Sequence, residues 1–196
     1  NPALLLGIAM AILAEEGRNK LTLLSSKTLE PFGDWVEQLV AESSGKEGLG
    51  IIPVVREPLG EPQHYGNDRF FVGLLSESSS STSLLELLRA LTNKKHPVLA
   101  YTIGDPEDLA GQFFLWEMAT AIACALLKVN AFDQPDVHAA KDKTNVLLKV
   151  IELKGNLEAK TSVLTLEDFL GELKPSDYVG ILAFLPDRPE IKAVLI

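Results

Sequence analysis

The sequence predicts a three-layer α/β/α domain built on a five-stranded parallel sheet, and three observations predict it. Five short runs are largely apolar: 20–24, 51–55, 69–75, 98–103 and 178–185. Strands that are apolar on both faces belong to parallel sheets covered by helices above and below. Between these runs apolar residues recur at helical spacing, so strands and helices alternate along the chain. Finally, 196 residues with 46% hydrophobic and 23% charged content suit one large globular domain. On such sheets ligands sit beyond the carboxyl ends of the strands.

Each element has a local reason. The chain opens Asn1-Pro2 and runs into an apolar helix, Ala3 to Ala14, ended by Gly17. It lacks the basic leader of a signal peptide. Leu29 to Ser43 is amphipathic, carrying Phe32, Trp35, Val36, Leu39 and Val40. In the second strand Pro53 removes one ladder donor. Residues 56–68 form a long loop with Pro58, Pro62, Gly60 and Gly66, and such a loop in a compact domain is more often functional than idle. Ser83-x-x-Glu86 is a capping box for a helix to about Thr92. Asp105-Pro106-Glu107-Asp108 joins a cap, a first-turn proline and early acids, and opens a helix to about Val129. Asp133 or Gln134 caps the next helix, which has Pro135 in its first turn and ends near Gly155. A brief helix over 165–173 precedes the last strand. With no Met at the start and Val194-Leu195-Ile196 reading as a helix cut short, residues 1–196 are expected to be a single domain excised from a longer protein.

Composition narrows the function classes. Lys+Arg 18 against Asp+Glu 27 gives a net charge of −9, which argues against nonspecific nucleic-acid binding. An anionic substrate would need a local basic pocket working against that field. The one cysteine, Cys124, lies in an apolar helical run and reads as a small buried hydrophobe, which favours a reducing, cytoplasmic setting. No run reaches the ~18 uninterrupted apolar residues of a membrane span. His64, His96 and His138 have no metal-site spacing.

The most informative stretch is Phe132 to Lys141. Val137, Ala140, Lys141, Thr144, Leu148 and Ile151 share one helical face, so a lysine stands in a largely apolar stripe. Either its stem packs while the ammonium snorkels to water, or the ammonium meets an anion or sugar oxygen at a site. Glu57 stands just past the carboxyl end of the second strand, where it reads either as a solvated loop carboxylate or as a general base, ionised at neutrality. Ser25-Ser26-Lys27-Thr28 could hold phosphate before a helix but lacks the glycines of a phosphate loop, so helix capping is the expected role. Glu117, the only charge between Phe113 and Leu127, reads either as a paired structural acid, the role expected, or as a residue facing a site. There is no nucleophile elbow, dinucleotide fingerprint or Walker loop.

Asn130-Ala131-Phe132-Asp133-Gln134-Pro135-Asp136-Val137 with Ala139-Ala140-Lys141 resembles the C-terminal signature of phosphoglucose isomerases. Gly111 to Ala121, Phe32 to Ser43 with Gly45-Lys46, Tyr65-Gly66-Asn67-Asp68-Arg69 and Asp177-Tyr178 with Ala183 to Pro186 are similar to the bacterial branch, in which the enzyme is often fused behind a transaldolase. The resemblance implies a sugar isomerase (SIS) domain, with a flavodoxin-type sheet, that works with the enzyme's other SIS domain and in a homodimer. It implies interconversion of glucose 6-phosphate and fructose 6-phosphate by ring opening and proton transfer through a cis-enediol, without metal or organic cofactor. Glu57 then carries over as the base, although Arg56 stands where the family has glycine. Gln134 matches a substrate-contacting position, and Lys141 would assist ring opening and stabilise developing negative charge. The phosphate loop and the ring-opening histidine are expected outside this chain, which would therefore isomerise poorly alone. The competing expectation is a SIS module that binds a sugar phosphate without chemistry.

Overall fold

The computed structural model describes residues 1–46, 48–77, 82–104, 106–156, 164–175, 177 and 179, and the chain divides into two compact units, Asn1–Asn145 and Val146–Ile196. Unit one holds the sheet: β1 (Lys20–Ser25), β2 (Ile52–Val54), β3 (Arg69–Ser76) and β4 (Val98–Ile103), all parallel, in the order β2-β1-β3-β4. The fifth strand expected over 178–185 lies, apart from Val179, outside the described residues, as does the segment 157–163. Pro53 sits on β2, an edge strand, where a missing N–H interrupts nothing.

Two helical layers cover this sheet. α1 (Pro2–Glu15), α2 (Glu30–Ser44) and α4 (Pro106–Leu127) lie on one face and α3 (Thr82–Asn93) on the other. Side chains alternate along each strand, and the strands are apolar both ways. Leu21 and Leu23 of β1 and Phe70, Val72 and Leu74 of β3 enter the core beneath α1, α2 and α4. Leu24 and Phe71 point the other way, to Tyr65 and to Leu84, Leu87, Leu88 and Leu91 of α3. The three-layer α/β/α fold is therefore present.

Helix starts follow their local chemistry. Asn1 caps α1 by accepting a hydrogen bond from the Ala3 amide at 2.9 Å, as a short amide side chain does. The capping box, however, is displaced: α3 begins at Thr82, so Ser83 lies inside its first turn. α1 and α4 cross closely because Gly7 has no side chain; a Cβ there would stand 2.6 Å from the Ala119 carbonyl oxygen. By length and composition Glu107–Leu127 could cross a membrane. Its inner face instead carries Trp116, Ala119, Ala123 and Cys124, all buried in the core. Glu117 lies on the exposed face of the helix, away from that core.

α5 (Pro135–Lys154) starts at the proline as expected. Of its stripe, Ala140, Lys141, Thr144 and Leu148 are exposed and only Val137 and Ile151 are half-buried. Unit two holds the later part of α5 and α6 (Leu166–Gly171), capped by Thr165, whose hydroxyl accepts from the Asp168 amide at 3.1 Å.

Candidate functional site

The chain leaves β1 towards β2 on one side and β3 towards β4 on the other, so the adjacent carboxyl ends of β1 and β3 flank a topological switch point. Crevices of open α/β sheets form there. A cleft of about 360 Å³ opens at this place, lined among others by Ser25, Ser26, Lys27, Arg56, Glu57 and Ser83. That volume falls at the low end of the roughly 300–1,000 Å³ typical of small-molecule pockets.

Glu57 is the cleft's best-held carboxylate. Its Oε2 accepts from Arg69 Nη1 at 2.7 Å and its Oε1 from Nη2 at 3.1 Å, a bidentate fork. Arg69 is itself anchored. The same Nη1 donates to Thr22 Oγ1 at 3.1 Å, and the guanidinium lies 5.4 Å from the centre of the Tyr65 ring. The Tyr65 hydroxyl in turn accepts from the Gly60 amide at 2.9 Å, tying down the loop that carries Glu57. Both partners are mostly buried, with side chains 28% and 19% exposed. Glu57 is thus neither loose in solvent nor deeply buried. Tyr65 and Arg69 lie in the family-like stretch Tyr65-Gly66-Asn67-Asp68-Arg69, but nothing in the sequence pairs them with Glu57.

Arg56, before it, has φ 55°, in the left-handed region that favours glycine. Its guanidinium turns away from Glu57, bonding Asp34 through Nε at 2.6 Å and Glu30 Oε2 through Nη1 at 2.8 Å. The hydrogen bond from Arg56 holds the Asp34 carboxyl below its ordinary range, against a smaller opposing effect of burial. Ser26 does not cap the 3-10 turn at Lys27–Leu29 with its side chain. Its hydroxyl accepts from the Ser76 amide at 3.1 Å and its own amide donates to Leu74 O at 2.9 Å, so it stitches β1 to β3. This corrects the capping role.

Gln134 and Lys141 lie elsewhere on unit one. Gln134 Nε2 donates to Glu42 Oε2 of α2 at 3.1 Å, and it lines a pocket of about 260 Å³ with Lys46, Gly45 and Val137. Lys141 is exposed and lines a shallow depression with Val137, Ala140, Thr144 and Asn145. The Glu57 cleft shares no lining residue with either. Among the described residues no group of three or more His, Cys, Asp or Glu side chains could hold a metal ion.

No protein-family model matches the chain. Curated relatives do. A glucose-6-phosphate isomerase of Methanocaldococcus jannaschii is 25% identical over 174 residues, covering 72% of this chain and 43% of its own length. A probable glucose-6-phosphate isomerase of Methanococcus maripaludis is 29% identical, covering 72% and 40%. The chain is distantly related to glucose-6-phosphate isomerases. A further one, from Clostridium tetani, is 29% identical over 69% of this chain and 38% of the relative. The chain therefore spans about two fifths of the length of these relatives. Among solved structures, a hypothetical protein of Thermus thermophilus has a TM-score of 0.57 at 19% identity, covering 72% of this chain and 45% of its own. That likeness is one of fold.

Proposed function

We propose that this chain is the C-terminal SIS domain, residues 1–196, of a glucose-6-phosphate isomerase. It would act with the enzyme's other SIS domain and in a homodimer on a sugar phosphate. The observation that carries the reading is the Glu57 carboxylate, held by both oxygens in a strand-end cleft at the switch point. The distant similarity to glucose-6-phosphate isomerases supports it. In the open-chain aldose Glu57 takes the proton from C2. The C2–H electron pair forms the C1=C2 bond while the C1 carbonyl oxygen takes up the charge and a proton, giving the cis-enediol; loss of the O2 proton and return of the proton from Glu57 to C1 completes the ketose. An oriented carboxylate suits that work, because proton transfer needs a base fixed within hydrogen-bond reach. Arg69 supplies the fixing. Lys141 assists ring opening and offsets negative charge on the enediol oxygens, and Gln134 contacts the substrate.

Substrate must share Glu57 with Arg69, and Gln134 and Lys141 line other surfaces. Those two facts favour a second reading, a SIS module that binds a sugar phosphate without chemistry. Turnover of fructose 6-phosphate by the full-length parent, compared with Glu57→Gln and Lys141→Ala, separates them. As isomerase, Glu57→Gln loses about 10²–10⁴-fold in kcat, the range of general-base contributions, and Lys141→Ala also falls. Normal turnover in Glu57→Gln would overturn the base. Binding of fructose 6-phosphate by an inactive parent supports the module.

A further inference from the structure

We infer that Lys46 is a positioning residue that sets Gln134 and Lys141, an inference that rests on the proposed roles of those two residues. Lysine is almost never buried without a partner, yet the Lys46 side chain is only 6% exposed. Its ammonium crosses from the loop after α2 to the turn before α5. There it donates to the Asn130 carbonyl and pairs with Asp133 Oδ1 at 2.9 Å.

Both ends of this bridge are built. Ser44 Oγ donates to Val40 O at 2.7 Å and accepts from the Ile51 amide at 3.0 Å, closing the base of the loop. Lys46 and Leu49 form a β-bridge inside it. Gly45 and Gly50 allow the tight approach: a Cβ on Gly50 would lie 2.9 Å from Gly45 Cα. On the other side Asn130 Oδ1 accepts from the Phe132 amide at 3.0 Å and its Nδ2 donates to Asp133 Oδ2 at 3.2 Å. The bridged turn ends where Gln134 and Pro135 open α5, and Lys141 stands two helical turns further on. Glu42, on the last turns of α2, holds the Gln134 side chain from the same loop base. An apolar side chain of similar length could fill the space left by the Lys46 stem, and the Asp133 carboxylate, its side chain 52% exposed, would remain solvated. What the apolar chain cannot supply is the directional hold on Asn130 and Asp133.

The experiment uses the full-length parent with Lys46→Met, Lys46→Arg, Asp133→Asn and the double variant Lys46→Met/Asp133→Asn. Amide exchange over 131–134 and 136–141 and the kcat and KM for fructose 6-phosphate are measured beside Tm. The expected result is exchange at least tenfold faster in that segment in Lys46→Met, with α2 and β1 unchanged. A tenfold or larger fall in kcat accompanies it, Lys46→Arg recovers part, and the double variant is no worse than Lys46→Met. Unchanged exchange overturns the inference. So does faster exchange with kcat intact, or a kcat loss that merely follows a lowered Tm. If the wild-type parent has no isomerase activity, the proposed function fails, and the exchange data alone then decide whether Lys46 holds the turn.

Discussion

Arg69 holds the candidate base and also contributes to the fold, and the two roles respond differently to substitution. Removing its fork leaves the partly buried Glu57 carboxylate without its donors. Hydrogen bonds to charged groups contribute about 1.5–3 kcal/mol, so Arg69→Met should destabilise by about that amount in urea unfolding. Arg69→Lys should recover only part, since one ammonium cannot reproduce a planar fork. A loss below about 0.5 kcal/mol would mean that the pair does not persist in solution. Asp68 makes a second prediction. The hydrogen bond from Lys20 holds its carboxyl below the usual range, with burial opposing. A carboxyl whose folded pKa is depressed adds stability that is present above its unfolded pKa and is lost as pH falls through the folded value. Stability should therefore decline as pH drops below about 3.9, and Asp68→Asn should flatten that part of the acid limb. His96 has the same sign at higher pH. Desolvation keeps its pKa lowered, Arg18 adds to the effect, and a backbone hydrogen bond at Pro62 opposes it. Its neutral ring packs edge-on against Phe71, so acidification below about 6.5 should loosen the α3 side of the core, and near-ultraviolet dichroism would read it.

The α1–α4 crossing shows how one residue governs a pair of helices. Alanine favours helix over glycine by roughly 1 kcal/mol, so Gly7→Ala would stabilise an isolated α1. At the crossing the new Cβ would lie 2.6 Å from a backbone oxygen and 2.8 Å from Ile122 Cβ, neither of which is a flexible side-chain end. Overpacking typically costs about 1–3 kcal/mol. Gly7→Ala should therefore lower Tm, and a raised Tm would show that the helices separate freely. The elements themselves were largely legible in the sequence. Asn1, Pro106 and Pro135 mark helix starts and the apolar runs mark strands, because caps and side-chain periodicity are local properties. Legibility failed where the outcome depends on what faces an element. The stripe on α5 reads as core-facing, yet Lys141 and its neighbours are exposed. Ser26 reads as a cap, yet its hydroxyl serves the β3 backbone, a partner fifty residues away.

At the scale of the whole molecule, the strand order β2-β1-β3-β4 creates the switch point, and with it the cleft that receives Glu57. On the proposed function, residues 1–196 alone should turn over fructose 6-phosphate at no more than about a hundredth of the rate of a full-length isomerase, about two to three kcal/mol in barrier, since they span about two fifths of the relatives they match. Comparable turnover by residues 1–196 would place a complete site within them. The sequence by itself determined the fold class, the positions of most helices and of four strands, and the residues worth testing, because amphipathic period, turn chemistry and motif spacing are written along the chain. Only the tertiary structure decided that Glu57 meets Arg69, that Arg56 turns to Asp34, and that Lys46 is buried against Asn130 and Asp133. Each joins segments 12 to 87 residues apart, and such pairings follow from strand order and close packing, which no local pattern contains.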